Sequence, residues 1–120
     1  MPQPSVLVVA DEHNARVALS RFLQASGFLV FEASEAKGAL RLLNTMRMAA
    51  VLLDGDHLPE PGSRELLGLL ASLKPRTSLV YLTFQDASRV PPLAVPALVR
   101  KPCDPPRLLG VLRELCTAAA

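Results

Sequence analysis

The segment Ser5-Val-Leu-Val-Val-Ala-Asp-Glu12 decides the architecture. Its apolar residues are consecutive rather than alternating. A strand built from them presents hydrocarbon to both faces of a sheet and needs cover on both. The run stops on acid, at Asp11 and Glu12, so it delivers carboxylate to the sheet rim, where a cation can be held. Ala10 stands immediately before Asp11, and one of the two side chains at this point therefore carries no charge.

Similar short runs recur at residues 28–31, 50–53, 79–82 and 97–99, after the first at 6–10. Between them the apolar residues fall at helical spacing. Ala15, Leu19, Phe22 and Leu23 share one face before a stop at Gly27. Ala36, Ala39, Leu40 and Leu43 follow the same rule, as do Leu66, Leu70 and Leu73, and finally Leu108, Val111, Leu112 and Leu115. The stripe at 66–73 reads as core. Asp104-Pro105 is a good helix start, with a capping acceptor followed by a residue whose missing N–H costs nothing there.

Strands alternating with helices of this length imply βαβ units. The expected fold is α/β, a flavodoxin-like, doubly wound, five-stranded parallel sheet of order 2-1-3-4-5, with helices on both faces. One unit is defective. Pro91, Pro92 and Pro96 lie between Thr83 and Ala97, each removing a donor and blocking helix propagation. At most about one helical turn, residues 86–90, survives there, so the fourth helix is expected to be short or missing.

Composition narrows the function classes. A length of 120 residues suits one domain, spanning 1–120, with a real core. Half the residues are apolar but only 4% are aromatic, so Leu, Val and Ala must build that core. Thirteen basic against eleven acidic residues leave a formal charge of +2, too weak and too scattered to imply nucleic acid or a membrane surface. The first apolar run is too short and too acidic at its end for a signal peptide, and no stretch reaches the roughly 18 apolar residues of a membrane span. Met1 and the 118–120 end suit a short complete chain. Cys103 and Cys116 are too few for a disulfide framework; Cys116 falls in the last helical stripe as a small hydrophobe, and both fit a reducing, cytoplasmic setting.

In sheets of this order, sites form at the carboxyl ends of the first and third strands. Asp11 ends the first and Asp54 the third. Two such carboxylates disfavour each other unless a cation lies between them, and Mg²⁺ suits carboxylates, carbonyls and water with room left for phosphate. Lys101 closes the fifth strand beside Thr83 at the end of the fourth. An ammonium and a hydroxyl at that rim can meet phosphoryl oxygens.

This constellation resembles the receiver domain of bacterial two-component response regulators over essentially the whole chain. The matching pieces are Val6-Leu-Val-Val-Ala-Asp-Glu12, Ala50-Val-Leu-Leu-Asp54, Leu82-Thr83 and Arg100-Lys101-Pro102. The resemblance implies that Asp54 accepts a phosphoryl group from a sensor histidine kinase or phosphotransfer protein. It implies Mg²⁺ ligated by Asp11, Asp54 and the backbone carbonyl of Asp56, weakly held. It also implies Thr83 and Lys101 on the phosphoryl oxygens, and a cis peptide at Pro102. It implies a signalling module rather than an enzyme, and output must run through a downstream protein because no DNA-binding or kinase segment is present.

The departures from that family matter as much. Ala10 stands where a second acid is usual, and Asp56 offers a compensating carboxylate. Leu98 stands where a switch Tyr or Phe is common, and Phe84 replaces a small residue. Gly62 keeps the family's eight-residue spacing from Asp54, whereas Pro59 falls one position late; Asp54 is preferred over Gly55 because it directly follows the apolar strand. These departures carry a second reading, a phosphorylation-independent pseudo-receiver that binds protein. A third, weaker reading is a haloacid-dehalogenase-like phosphatase, from Leu53-Asp-Gly-Asp56; that motif normally follows a first strand and needs an acidic pair downstream. His13 and His57 beside Asp11 and Asp56 are read as solvated loop histidines ahead of Zn²⁺ or Mn²⁺ ligands.

Overall fold

Alternate side chains of one central sheet feed two separate cores, and this explains why the inner strands are built from consecutive apolar residues. The computed structural model describes residues 3–56, 63–73, 77–84, 97–101 and 104–118. Its elements run β1 (Ser5–Val9), α1 (His13–Ala25), β2 (Leu29–Ala33), α2 (Ala36–Thr45), β3 (Ala50–Asp54), α3 (Ser63–Ser72), β4 (Ser78–Thr83), β5 (Ala97–Arg100) and α4 (Pro105–Ala118). The five strands are parallel, in the order β2-β1-β3-β4-β5. The expected order and the cover on both faces are both present.

Leu7, Val9, Val51, Leu53, Leu79 and Tyr81 point to the side covered by α2 and α3. Val6, Val8, Leu52, Val80, Leu82 and Val99 point to the side covered by α1 and α4. Each of these side chains is buried, and each contributes about 1.5–3 kcal/mol relative to exposure. The helical stripes read from sequence meet the sheet where expected: Ala39, Leu43, Leu66 and Leu70 on one side, Leu23, Leu108 and Leu112 on the other. Cys116 packs on the α1/α4 side, and burial raises its thiol pKa, so it stays protonated.

Helix ends follow their local chemistry. The Glu12 carboxylate accepts from the N–H groups of Asn14 and Ala15 and caps α1. After α1 the chain reverses at Gly27, whose φ of +102° favours glycine. Asp104 Oδ1 accepts from the Arg107 N–H at 2.8 Å, capping α4 from the residue before Pro105, where the helix starts.

Strand limits differ slightly from expectation. β1 closes at Val9 and leaves Ala10 just beyond it, whereas β3 extends to include Asp54. The described residues contain four helices. The expectation for a short or missing helix at 86–90 lies outside the described residues, as do Pro102, Cys103, His57 and the register from Pro59 to Gly62. Among the described residues, no helix is long and apolar enough to cross a membrane.

Candidate functional site

Register brings the candidate residues to one rim. Val9 pairs with Leu53, so Ala10 and Asp54 lie at the same level on adjacent strands, with Asp11 one step further. Thr83 pairs with Arg100, which puts Lys101 one step beyond the end of β4. The Lys101 N–H also donates to the Thr83 carbonyl at 2.8 Å, fixing where its side chain leaves the sheet.

Lys101 is the hub. Its Nζ lies 2.6 Å from Asp54 Oδ1 and 3.1 Å from Asp56 Oδ2, and all three side chains are largely buried. Burial alone would lower the lysine pKa, but the two carboxylates outweigh it and raise the value, so the ammonium is held charged. The Phe84 ring lies over that ammonium, 5.0 Å from Nζ to the ring centre.

Asp56 is more tightly held than a loop carboxylate needs to be. The Thr83 hydroxyl donates to Oδ1 and the Phe84 N–H to Oδ2 at 2.9 Å. Burial pushes the Asp56 carboxyl up, yet these donors and Lys101 bring it below the ordinary value. Its backbone N–H donates to Asp54 Oδ1 at 3.1 Å, tying the two acids together. Between them, the Gly55 N–H donates to the Leu82 carbonyl at 2.9 Å. A Cβ on Gly55 would fall 2.0 Å from Tyr81 Cζ, so only glycine passes over that ring.

The β1 side of the rim is arranged differently. Ala10 is buried, and its carbonyl accepts from Arg16 Nη1 at 2.9 Å. Arg16 also reaches Glu32 Oε1 at 3.2 Å and His13 Nδ1 at 3.1 Å. His13 thus accepts from a guanidinium, which has no lone pair to offer in return. Asp11 is exposed. Beside Asp54, where an acid at position 10 would project, lies a pocket of about 320 Å³ bounded by Ala10, Leu19, Phe84, Lys101 and Leu108.

Asp54, Asp56, Thr83 and Lys101 therefore come together, with Ala10 alongside. Leu98 is half-buried, packs toward the α2/α3 side and pairs with Tyr81 on β4. Sequence reading missed three contributors: Arg16, Tyr81 and the Phe84 N–H. Tyr81 carried a signal in being the only tyrosine, two residues before Thr83 on a strand bound for the rim. Arg16 carried none beyond its charge.

Solved structures similar to this one superpose over nearly its whole length. A response regulator receiver domain protein from Methanospirillum hungatei superposes with a TM-score of 0.84, at 21% identity over 98% of this chain and 97% of that one. The chemotaxis response regulator CheY4 of Vibrio cholerae gives 0.82 at 21% identity, covering 95% and 99%. A signal receiver domain of a signal transduction histidine kinase from Syntrophus aciditrophicus gives 0.82 at 18% identity, covering 96% and 91%. This is the receiver fold. In sequence the chain is also similar to an uncharacterized 14.6 kDa protein from the sodA1 3′ region of Leptolyngbya boryana, 27% identical over 98% of this chain and 94% of that protein. No family model matches.

A receiver fold raises the question of Mg²⁺. Among the described residues, no three His, Cys, Asp or Glu side chains form a metal cluster. The Asp56 carboxylate is engaged by Thr83, Phe84 and Lys101, and position 10 has none. Asp11 and Asp54, the latter already holding Lys101 through Oδ1, are the other hard oxygen donors on this rim. That donor set fits a hydrated Mg²⁺ held by two carboxylates, a coordination this ion accepts because it parts reluctantly with water.

Proposed function

We propose that residues 1–120 form one two-component receiver domain and that Asp54 is its phosphoacceptor. The observation that carries this reading is the 2.6 Å contact between Lys101 Nζ and Asp54 Oδ1, made across the rim between the carboxyl ends of β3 and β5, which flank β4. An Asp54 carboxylate oxygen attacks the phosphorus of a phosphohistidine. A P–O bond forms, the P–N bond breaks, and the donor imidazole leaves and takes up a proton. Lys101 neutralises charge on the transferred oxygens and Thr83 donates a hydrogen bond to them. Asp11, Asp54 and the Asp56 carbonyl would hold Mg²⁺, which would supply charge neutralisation at the acceptor. The donor is a sensor histidine kinase or phosphotransfer protein in the cytoplasm, and the output is binding to a further protein.

Incubation with acetyl phosphate and Mg²⁺ tests this directly. Intact mass should rise by one phosphoryl group, and Asp54→Asn should abolish the increment. No increment at any Mg²⁺ concentration overturns the reading.

A second reading has its own observations, the uncharged Ala10 and the fully engaged Asp56. It is a pseudo-receiver that binds its partner without phosphate. It requires partner binding to survive Asp54→Ala, and loss of binding in that variant excludes it.

A further inference from the structure

Three donors of different kinds converge on one side chain: the Thr83 hydroxyl, the Phe84 backbone N–H and the Lys101 ammonium. Together they use both oxygens of the Asp56 carboxylate. A hydroxyl, an amide N–H and an ammonium aimed at one point form an oxyanion cradle. Here its occupant comes from the same chain. We infer that Asp56 is a built-in competitor for the phosphoryl site, holding Thr83 and Lys101 in their anion-bound arrangement until an incoming group displaces it.

The geometry behind this is fixed at several points. Asp56 is two residues past the end of β3, and its backbone is tied back by its own N–H to Asp54 Oδ1. Gly55 is fastened to β4 through the Leu82 carbonyl and lies against the Tyr81 ring. The two-residue step from Asp54 thus delivers the Asp56 carboxylate into the cradle rather than into solvent. The side chain is only 13% exposed, and burying a charge that far requires donors such as these. The arrangement also divides Lys101 between two carboxylates, so a group transferred to Asp54 must take both the lysine and the hydroxyl from Asp56. An intramolecular ligand competes at an effective concentration of about millimolar or more. Entry of a free oxyanion should be suppressed accordingly.

The inference rests on the proposed role of Asp54 only for its consequence, and the test separates the two. Isotope-labelled wild type, Asp56→Ala and Asp56→Asn are titrated with inorganic phosphate while the amide resonances of Thr83 and Phe84 are followed. Emptying the cradle should tighten phosphate at Phe84 by about tenfold or more in Asp56→Ala, with Asp56→Asn between it and wild type. Equal phosphate affinity in all three folded proteins, or no response at Phe84 in Asp56→Ala, overturns the inference. Should Asp56→Ala fail to fold, Asp56→Asn alone decides: affinity unchanged from wild type overturns it, and tighter binding supports it. Beryllofluoride is then added as an acyl phosphate analogue. An adduct in Asp56→Ala that disappears in Asp54→Asn/Asp56→Ala supports both readings. Phosphate in the cradle with no adduct at Asp54 leaves Asp56 as the occupant and removes Asp54 as the acceptor.

Discussion

At the scale of single residues, the rim is a contest among carboxylates for few cations. Asp54 and Asp56 share Lys101, and Ala10 withdraws the charge that would otherwise make a third acid beside them. Restoring that acid should expose the balance. Ala10→Asp places a carboxylate at a position only 7% exposed, next to Asp54, and without a cation the two repel. The melting temperature of Ala10→Asp should fall below wild type in EDTA and rise with Mg²⁺ more steeply than wild type does. Saturation at a hundredfold excess over the dissociation constant is worth about 2.7 kcal/mol. A melting temperature indifferent to Mg²⁺ would mean that position 10 faces no cation site. Asp56 makes a second prediction. Its folded pKa lies below the ordinary 3.8, so it contributes stability that is complete above that value and is lost as pH falls through the folded pKa. Asp56→Asn should therefore flatten the acid limb of stability against pH below about pH 4, measured by urea midpoints. A limb as steep as wild type would assign the acid sensitivity to other groups.

At the scale of elements, the connection leaving β3 sets the chemistry because it has almost no freedom. Gly55 is hydrogen bonded to β4 and faces the Tyr81 ring with no room for a Cβ. Gly55→Ala must displace either the ring or the loop. Overpacking of this kind costs about 1–3 kcal/mol, and the loss should be partly recovered in the double variant Gly55→Ala/Tyr81→Leu, giving favourable coupling in a urea-denaturation cycle. Gly55→Ala with wild-type stability would place the ring elsewhere. The connection also shows where sequence reading stops. Asp54, Thr83 and Lys101 were legible because each ends or immediately follows a strand, and strand ends of a parallel sheet share one rim. The engagement of Asp56 was not legible, because it depends on side-chain direction after a tight step and on a backbone N–H, which any residue but proline provides at position 84. Arg16 was hidden for a similar reason, since two of its targets are the backbone carbonyls of Ala10 and Asp11.

At the scale of the whole molecule, cover on both faces of the sheet was legible because consecutive apolar residues leave no solvent-facing side, and the strand order is the common one for such sheets. The strand limits were less legible. β1 ends at Val9 and β3 at Asp54 according to which backbone groups find partners, and side-chain hydropathy reports that poorly. The two cores share every strand but no side chain, so the sheet itself must couple them. Tyr81 is the only tyrosine and the chain has no tryptophan, which makes intrinsic fluorescence a local reporter on the α2/α3 side. Leu112, fully buried, belongs to the α1/α4 side. If the sheet couples the cores, Leu112→Ala should lower stability by about 2–5 kcal/mol. The tyrosine signal and far-ultraviolet circular dichroism should then move together to the same lower urea midpoint. A variant in which the tyrosine transition stays at its wild-type midpoint while the helical signal shifts would show that the two faces unfold separately. In that case a change at α4 could not reach the Asp54 rim through the sheet and would have to act at the pocket that Leu108 and Asp54 share.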